Sequence, residues 1–164
     1  MMRREILLAA LAEDGFPSVL EAGGQRLVRN GTATRLYSWL RIEVYRAALY
    51  LPARSSDAAS ILAARTPRLV AARYSRAVSR DDAARAWAGA LDAPLPAPFH
   101  DWLRPVAAGD VERQLFLADA VLLDGPGRPP QRVPGGAFVR SLLATWIGPN
   151  ADAALRRGLL GLSN

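Results

Sequence analysis

The stretch from Gln25 to Leu51 constrains the fold more than any other part of the chain. Gln25-Arg26-Leu27-Val28-Arg29 runs into Asn30-Gly31, a strong turn signal, and aromatic and branched residues then dominate through Tyr50 until Pro52 ends the run. The part from Tyr37 to Leu51 is too long for one average strand, which predicts a bend or hairpin near Ser38 to Leu40. This is the sheet-forming third, and helical patterns come mostly after it.

Ser55-Ser56-Asp57 supplies N-cap chemistry for a helix through Arg65, stopped by Thr66-Pro67, and Arg68 to Arg76 reads as another strand. A second helix begins at Ser79, with Asp81 and Asp82 in its first turn and Ala84, Trp87, Ala88 and Leu91 on its inward face. A short helix spans Phe99 to Leu103, and Val111 to Asp124 reads as two strands. Gly125-Pro126-Gly127 and Pro129-Pro130 argue against regular structure from Gly125 to Pro134. Two helices close the chain: Gly136 to Ile147, and Ala151 to Leu160 opened by Asn150 or Asp152. Strands first and helices later, without βαβ alternation, indicate an α+β fold with helices over one face of a largely antiparallel sheet.

A chain of 164 residues holds one domain, taken as residues 15–164 behind an N-terminal segment of residues 1–14. In that segment Arg3 and Arg4 precede the apolar run Ile6 to Leu11, which reads either as the remnant of a secretory signal or as a short helix docking on the domain. The first reading implies a periplasmic protein and the second a cytoplasmic one; the run is too short to span a membrane. There is no cysteine and one histidine, His100, which removes disulfides, a thiolate nucleophile and the usual Cys/His zinc site. No metal or cofactor is implied, and any catalysis would run on Arg, Tyr, Ser, Thr, Asp or Glu. The net charge is +6, but all 21 basic residues are arginines scattered among acids instead of gathered on a stripe. A specific nucleic-acid surface is therefore not expected.

Arg35, Tyr45 and Tyr50 stand out within the sheet region. On one straight strand Arg35 and Tyr45 would lie roughly 33 Å apart. With a hairpin between them, a guanidinium and a phenol come side by side, a fixed cation and a hydroxyl donor suited to an anionic oxygen. The plainer alternative is a solvated arginine and a packing tyrosine. Other groups read as structural: Asp81 and Asp82 as capping charges, Gly135-Gly136 as a helix entry, Trp87, Phe138 and Trp146 as core aromatics, and His100 beside Asp101 as sequence neighbours without the geometry of a base and its orienting acid.

Two blocks carry a family resemblance. Leu27 to Arg35, with its Asn-Gly followed by arginine, and Val44-Tyr45-Arg46-Ala47-Ala48-Leu49-Tyr50-Leu51-Pro52 form the first; Phe138 to Gly148, ending Thr145-Trp146-Ile147-Gly148, forms the second. Together they resemble the bacterial chalcone-isomerase-like domain, and the likeness runs from about Gly15 to Gly161. The resemblance implies an open-faced β-sandwich, a long antiparallel sheet covered on one face by helices, with a ligand cleft between sheet and helices. Arg35 falls on the arginine that steadies an anionic oxygen in the plant isomerases and a carboxylate in related fatty-acid-binding proteins. Tyr45 falls on the tyrosine of the binding proteins, and Thr145 on a late helix hydroxyl that contacts substrate in the isomerases.

The isomerases also use a Tyr and an Asn on the helix matching Ser79 to Leu91, where this chain has Asp81, Asp82, Arg85 and Trp87. The expected function is thus a non-catalytic one: a fatty acid or similar amphipathic carboxylate bound by Arg35, Tyr45, Tyr50 and Thr145, with Arg35 facing an apolar hollow. The alternatives are an intramolecular lyase acting on a phenolic or enone substrate, with Arg35 as the catalytic residue, and an interaction module with a vestigial cleft. The oligomeric state is not legible.

Overall fold

The computed structural model describes residues 15–37 and 41–162. Seven strands form one antiparallel sheet in chain order: β1 (Val19–Ala22), β2 (Gln25–Tyr37), β3 (Ile42–Leu51), β4 (Arg68–Tyr74), β5 (Val111–Phe116), β6 (Ala120–Asp124) and β7 (Gln131–Pro134). The helices among the described residues are α1 (Ala58–Ala63), α2 (Arg80–Leu91), α3 (Ala97–Trp102), α4 (Gly136–Ile147) and α5 (Ala153–Leu159). The α+β class stands, as a curled sheet forming a half-barrel around its helices.

Local chemistry places the helices where the caps indicate. Asp57 accepts from the Ser60 N–H at the start of α1, Ser79 from the Asp82 N–H at α2, and Asp152 from the Leu155 N–H at α5. α4 buries Val139, Leu142, Leu143, Trp146 and Ile147, a helical stripe that packs on the inner sheet face of Ala47, Leu49, Val70, Ala72 and Phe116. The outer face carries a second, smaller core in which Phe16 and Leu20 cover Leu27, Tyr50, Leu69 and Leu115. Because Ala47 to Leu51 are buried on both faces, the end of β3 reads as a continuous apolar run instead of an alternating one.

The Asn30-Gly31 pair is not a turn. β2 runs straight through it, with a register shift between Arg29 and Gly31 that leaves Asn30 as the extra residue of a bulge. Asn30 Nδ2 donates to the carbonyls of Ser55 and Leu159, at 2.9 Å each, and its Oδ1 accepts from the Ser55 N–H at 2.8 Å. Gly31 is there because α5 comes so close: a Cβ at Gly31 would fall on the carbonyl oxygen of Gly158. The first hairpin instead turns at Gly23 and Gly24, both with positive φ, after the edge strand β1 that the pattern did not announce.

The chain reverses between β2 and β3, as the hairpin expectation requires, although Ser38 to Leu40 themselves lie outside the described residues, as does the N-terminal segment 1–14. The Pro-rich stretch from Gly125 also holds more structure than expected. Gln131 to Pro134 pair with Ala120 to Leu123 as β7, an edge strand, which is the position in a sheet that tolerates proline.

Replacing Gly31 with alanine forces β2 and α5 apart against backbone that cannot yield. Urea unfolding should show a loss of about 1–3 kcal/mol, the usual range for overpacking, whereas Gly89→Ala in α2, where a Cβ meets nothing within 4 Å, should cost nothing.

Candidate functional site

The β2/β3 register sets Arg35 directly opposite Tyr45, and the β3/β4 register sets Tyr45 directly opposite Tyr74. The three side chains therefore form a row across the inner face, with cross-strand Cβ atoms about 5 Å apart. Arg35 stands at the rim. Its Nη1 lies 2.9 Å from Oδ1 of Asp152, the N-cap of α5, and the two side chains are 43% and 39% exposed. The expectation of an arginine facing an apolar hollow is corrected here: the guanidinium sits at the half-exposed mouth and already holds a carboxylate.

Inward of the rim the space is occupied by rings. Tyr45 meets Trp146 of α4 edge-on at 5.8 Å and Tyr74 at 5.8 Å. Trp146 meets Trp87 of α2 at 5.7 Å, and Trp87 meets Phe99 of α3 at 5.6 Å. Such tilted and edge-to-face pairs at this separation are favourable packing, so Trp87 and Trp146 act as core aromatics that fill the space between sheet and helices.

The row continues into a buried polar network that the sequence pattern left unmarked. The Tyr74 hydroxyl donates to Glu112 Oε1 at 3.1 Å, and Glu112 Oε2 receives Arg128, which reaches in from the β6–β7 hairpin and lies 3.8 Å over the Trp102 ring. Trp146 Nε1 donates to Gln114 at 2.8 Å. Finding Tyr74, Glu112 and Gln114 requires the strand register, and Arg128 sits in a loop whose Gly and Pro content signals a turn and nothing more. The one available signal was period-2 spacing, which puts Glu112 and Gln114 on the same face as Phe116.

Burial pushes the Tyr45 phenol up to about 12, with Arg35 pulling it down and Asp152 adding to the rise. Tyr45 is therefore a neutral hydrogen-bond donor throughout the physiological range. Burial, and then Glu112, hold Tyr74 well above the ordinary phenol value. Glu112 is itself raised by burial, with Arg128 and the Tyr74 hydroxyl opposing. A fixed cation beside a neutral phenol at a half-open rim can bind an anionic oxygen with two kinds of donor.

The other expected site residues do not join this pair. Tyr50 is five positions from Tyr45 on one strand, so it points to the opposite face, where it is fully buried and donates to the Pro17 carbonyl at 2.7 Å. It lines a separate outer-face hollow of about 220 Å³ with Phe16, Leu20, Ala71, Arg73 and Arg113. Its assignment to the cleft is corrected by strand parity alone. Thr145 is half-buried on α4, and its hydroxyl donates to the Leu142 carbonyl at 2.6 Å, leaving only its acceptor side for a ligand. Asp152, expected only as a helix opener, proves to be the residue nearest the arginine's charge.

Among the described residues no cluster of His, Asp or Glu could hold a metal ion, and no helix is long and apolar enough to cross a membrane.

The sequence model of a family described as chalcone isomerase-like matches residues 9–161. Among solved structures, a fatty-acid binding protein of Arabidopsis thaliana is similar, with a TM-score of 0.64 over 88% of this chain and 90% of that one, at 13% identity. That likeness is one of fold. None of the curated proteins matches the chain.

Two measurements check the geometry. In an alkaline absorbance titration, Tyr45→Phe should remove a phenolate step near pH 12. The fold favours the neutral phenol, so the wild type's stability relative to that variant is fully present below about pH 10 and falls as the pH rises toward 12. Arg128→Ala should cost about 3–5 kcal/mol in urea unfolding, because it strands the Glu112 carboxylate in the interior. The paired change Glu112→Leu with Arg128→Met should cost less.

Proposed function

The chain belongs to the chalcone isomerase-like family, and on that premise we propose that it binds a fatty acid or a similar amphipathic carboxylate without turning it over. The head group rests on the Arg35 guanidinium and the Tyr45 hydroxyl, and the tail runs inward between the sheet and α2 and α4. The observation that carries this reading is the Arg35–Asp152 contact at 2.9 Å: the guanidinium opposite Tyr45 already presents its donors to a carboxylate in ordinary charge-assisted geometry. The similar plant protein's description as a fatty-acid binding protein supports the same ligand class.

The tail needs room that the aromatic rings now fill. α2 is the helix best suited to give way, since none of its residues is fully buried and Trp87 and Leu91 pack on the core only in part. An element with so little burial opens at lower cost than one anchored like α4. Displacing ring–ring contacts by an alkyl chain exchanges one apolar contact for another, so burial of the tail supplies the net gain.

A second reading is favoured by that same filling. If the Tyr45–Trp146–Trp87–Phe99 contacts never part, the cleft is vestigial and the domain serves as an interaction module. An intramolecular lyase draws support from Arg35 alone. The first turn of α2 offers Asp81 and Asp82, with Asp82 paired to Arg85, while its one cation, Arg80, donates to the Leu103 and His100 carbonyls instead of facing Arg35.

Displacement of a fluorescent fatty acid tests the proposal. Arg35→Ala should weaken binding about 10- to 100-fold, the worth of a hydrogen bond to a charged group, and Tyr45→Phe about 3- to 10-fold. Because Arg35 is half-exposed, its loss should move the unfolding midpoint little. Undiminished affinity in both variants would remove the site.

A further inference from the structure

We propose that Asp152 sets the charge specificity of the Arg35 site: it is a built-in carboxylate that occupies the arginine when the site is empty and disfavours doubly charged head groups when it is filled. The inference rests on the Arg35 reading above and adds a selecting residue to it.

The two oxygens of Asp152 have different duties. Oδ2 accepts from the Leu155 N–H at 3.0 Å as the N-cap of α5, and Oδ1 faces Arg35 at 2.9 Å. The cap fixes the side chain, and the helix behind it is pinned. Leu155 and Leu159 are buried, Asn30 holds the Leu159 carbonyl, and Gly158 lies so close to β2 that a Cβ there would be 2.5 Å from the Thr32 oxygen. Asp152 therefore has nowhere to retreat. Its negative charge stays beside Arg35 and raises the neighbouring Tyr45 phenol, whether or not a ligand is present.

Arg35 has more N–H donors than one carboxylate oxygen uses, so an incoming head can share the guanidinium with Asp152. The shared site then holds one positive and one negative charge plus a neutral phenol. A single negative charge meets one attraction and one repulsion. A dianion doubles both, since Coulomb energy is linear in the head's charge, so the Asp152 carboxylate takes from a dianion's binding twice what it takes from a monoanion's. Asp152 thus lowers the preference for doubly charged heads, such as phosphate monoesters, that Arg35 alone would confer, and shifts the site toward monoanionic amphiphiles such as carboxylates.

The test is Asp152→Asn, which removes the charge and keeps the cap, because Asn and Asp serve equally well at that position. Dodecanoate and dodecyl phosphate are titrated at pH 8, where the phosphate is doubly charged, against wild type, Asp152→Asn and Arg35→Ala. The variant should bind dodecanoate about fivefold tighter, as loss of one half-exposed charge contact permits, and dodecyl phosphate by a larger factor, up to about 25-fold. A rise of threefold or more in the phosphate-to-carboxylate affinity ratio supports the proposal. Unchanged affinities, or equal tightening for both probes, overturn it while leaving the Arg35 site standing, provided Arg35→Ala still loses binding. If Arg35→Ala binds like the wild type, or no form binds either probe, the head-group site falls and the role of Asp152 falls with it.

Discussion

A single extra residue in β2 decides which of its side chains face the inside of the sheet. In an unbroken strand Arg35 would share the face of Arg29, which points outward and donates to the Phe16 carbonyl. The bulge at Asn30 shifts the register by one, so every later side chain changes face and Arg35 arrives on the inner side opposite Tyr45. Asn30 then spends its whole amide on holding that irregularity, with two donations and one acceptance across to Ser55 and Leu159. Gly31 allows α5 to sit directly on the bulge, and α5 brings Asp152 to the arginine. Bulge, helix contact and ion pair are one construction.

The inner face is graded from wet to dry. At the rim Arg35 and Asp152 are half-exposed, and their pairing is worth little to stability in that setting, which leaves it available for exchange with another carboxylate. At the far end Arg128 and Glu112 are nearly inaccessible, and breaking that pair strands a charge. Tyr45 and Tyr74 join the two ends, one phenol near the mouth and one committed to Glu112. The inner face thus carries exchangeable electrostatics at its rim and fixed electrostatics in its depth.

Much of this was readable from residue order. The capping residues Ser79 and Asp57 mark helix starts, the stripe from Val139 to Ile147 marks a buried helix, and the sequence of strands before helices gives the class. The bulge was not readable, because asparagine followed by glycine carries the same local preference at a hairpin turn and at a strand irregularity; the approach of α5, distant in sequence, chooses between them. The same blindness hid β7, whose Pro134 is acceptable because the strand lies at the sheet's edge. Tyr50 was misplaced for a simpler reason: counting by twos from Tyr45 already puts it on the other face. Glu112, Gln114 and Arg128 gained meaning only from register, which no single strand contains.

A crystal structure of the protein grown with dodecanoate would test the central claim most directly. The account predicts the carboxylate of the fatty acid at about 2.7–3.1 Å from the Arg35 guanidinium and the Tyr45 hydroxyl, with Trp87 or Trp146 displaced by the alkyl chain. An undisturbed ring stack with Arg35 engaged by Asp152 alone, and the fatty acid either absent or lodged in the outer-face hollow beside Tyr50, would contradict it.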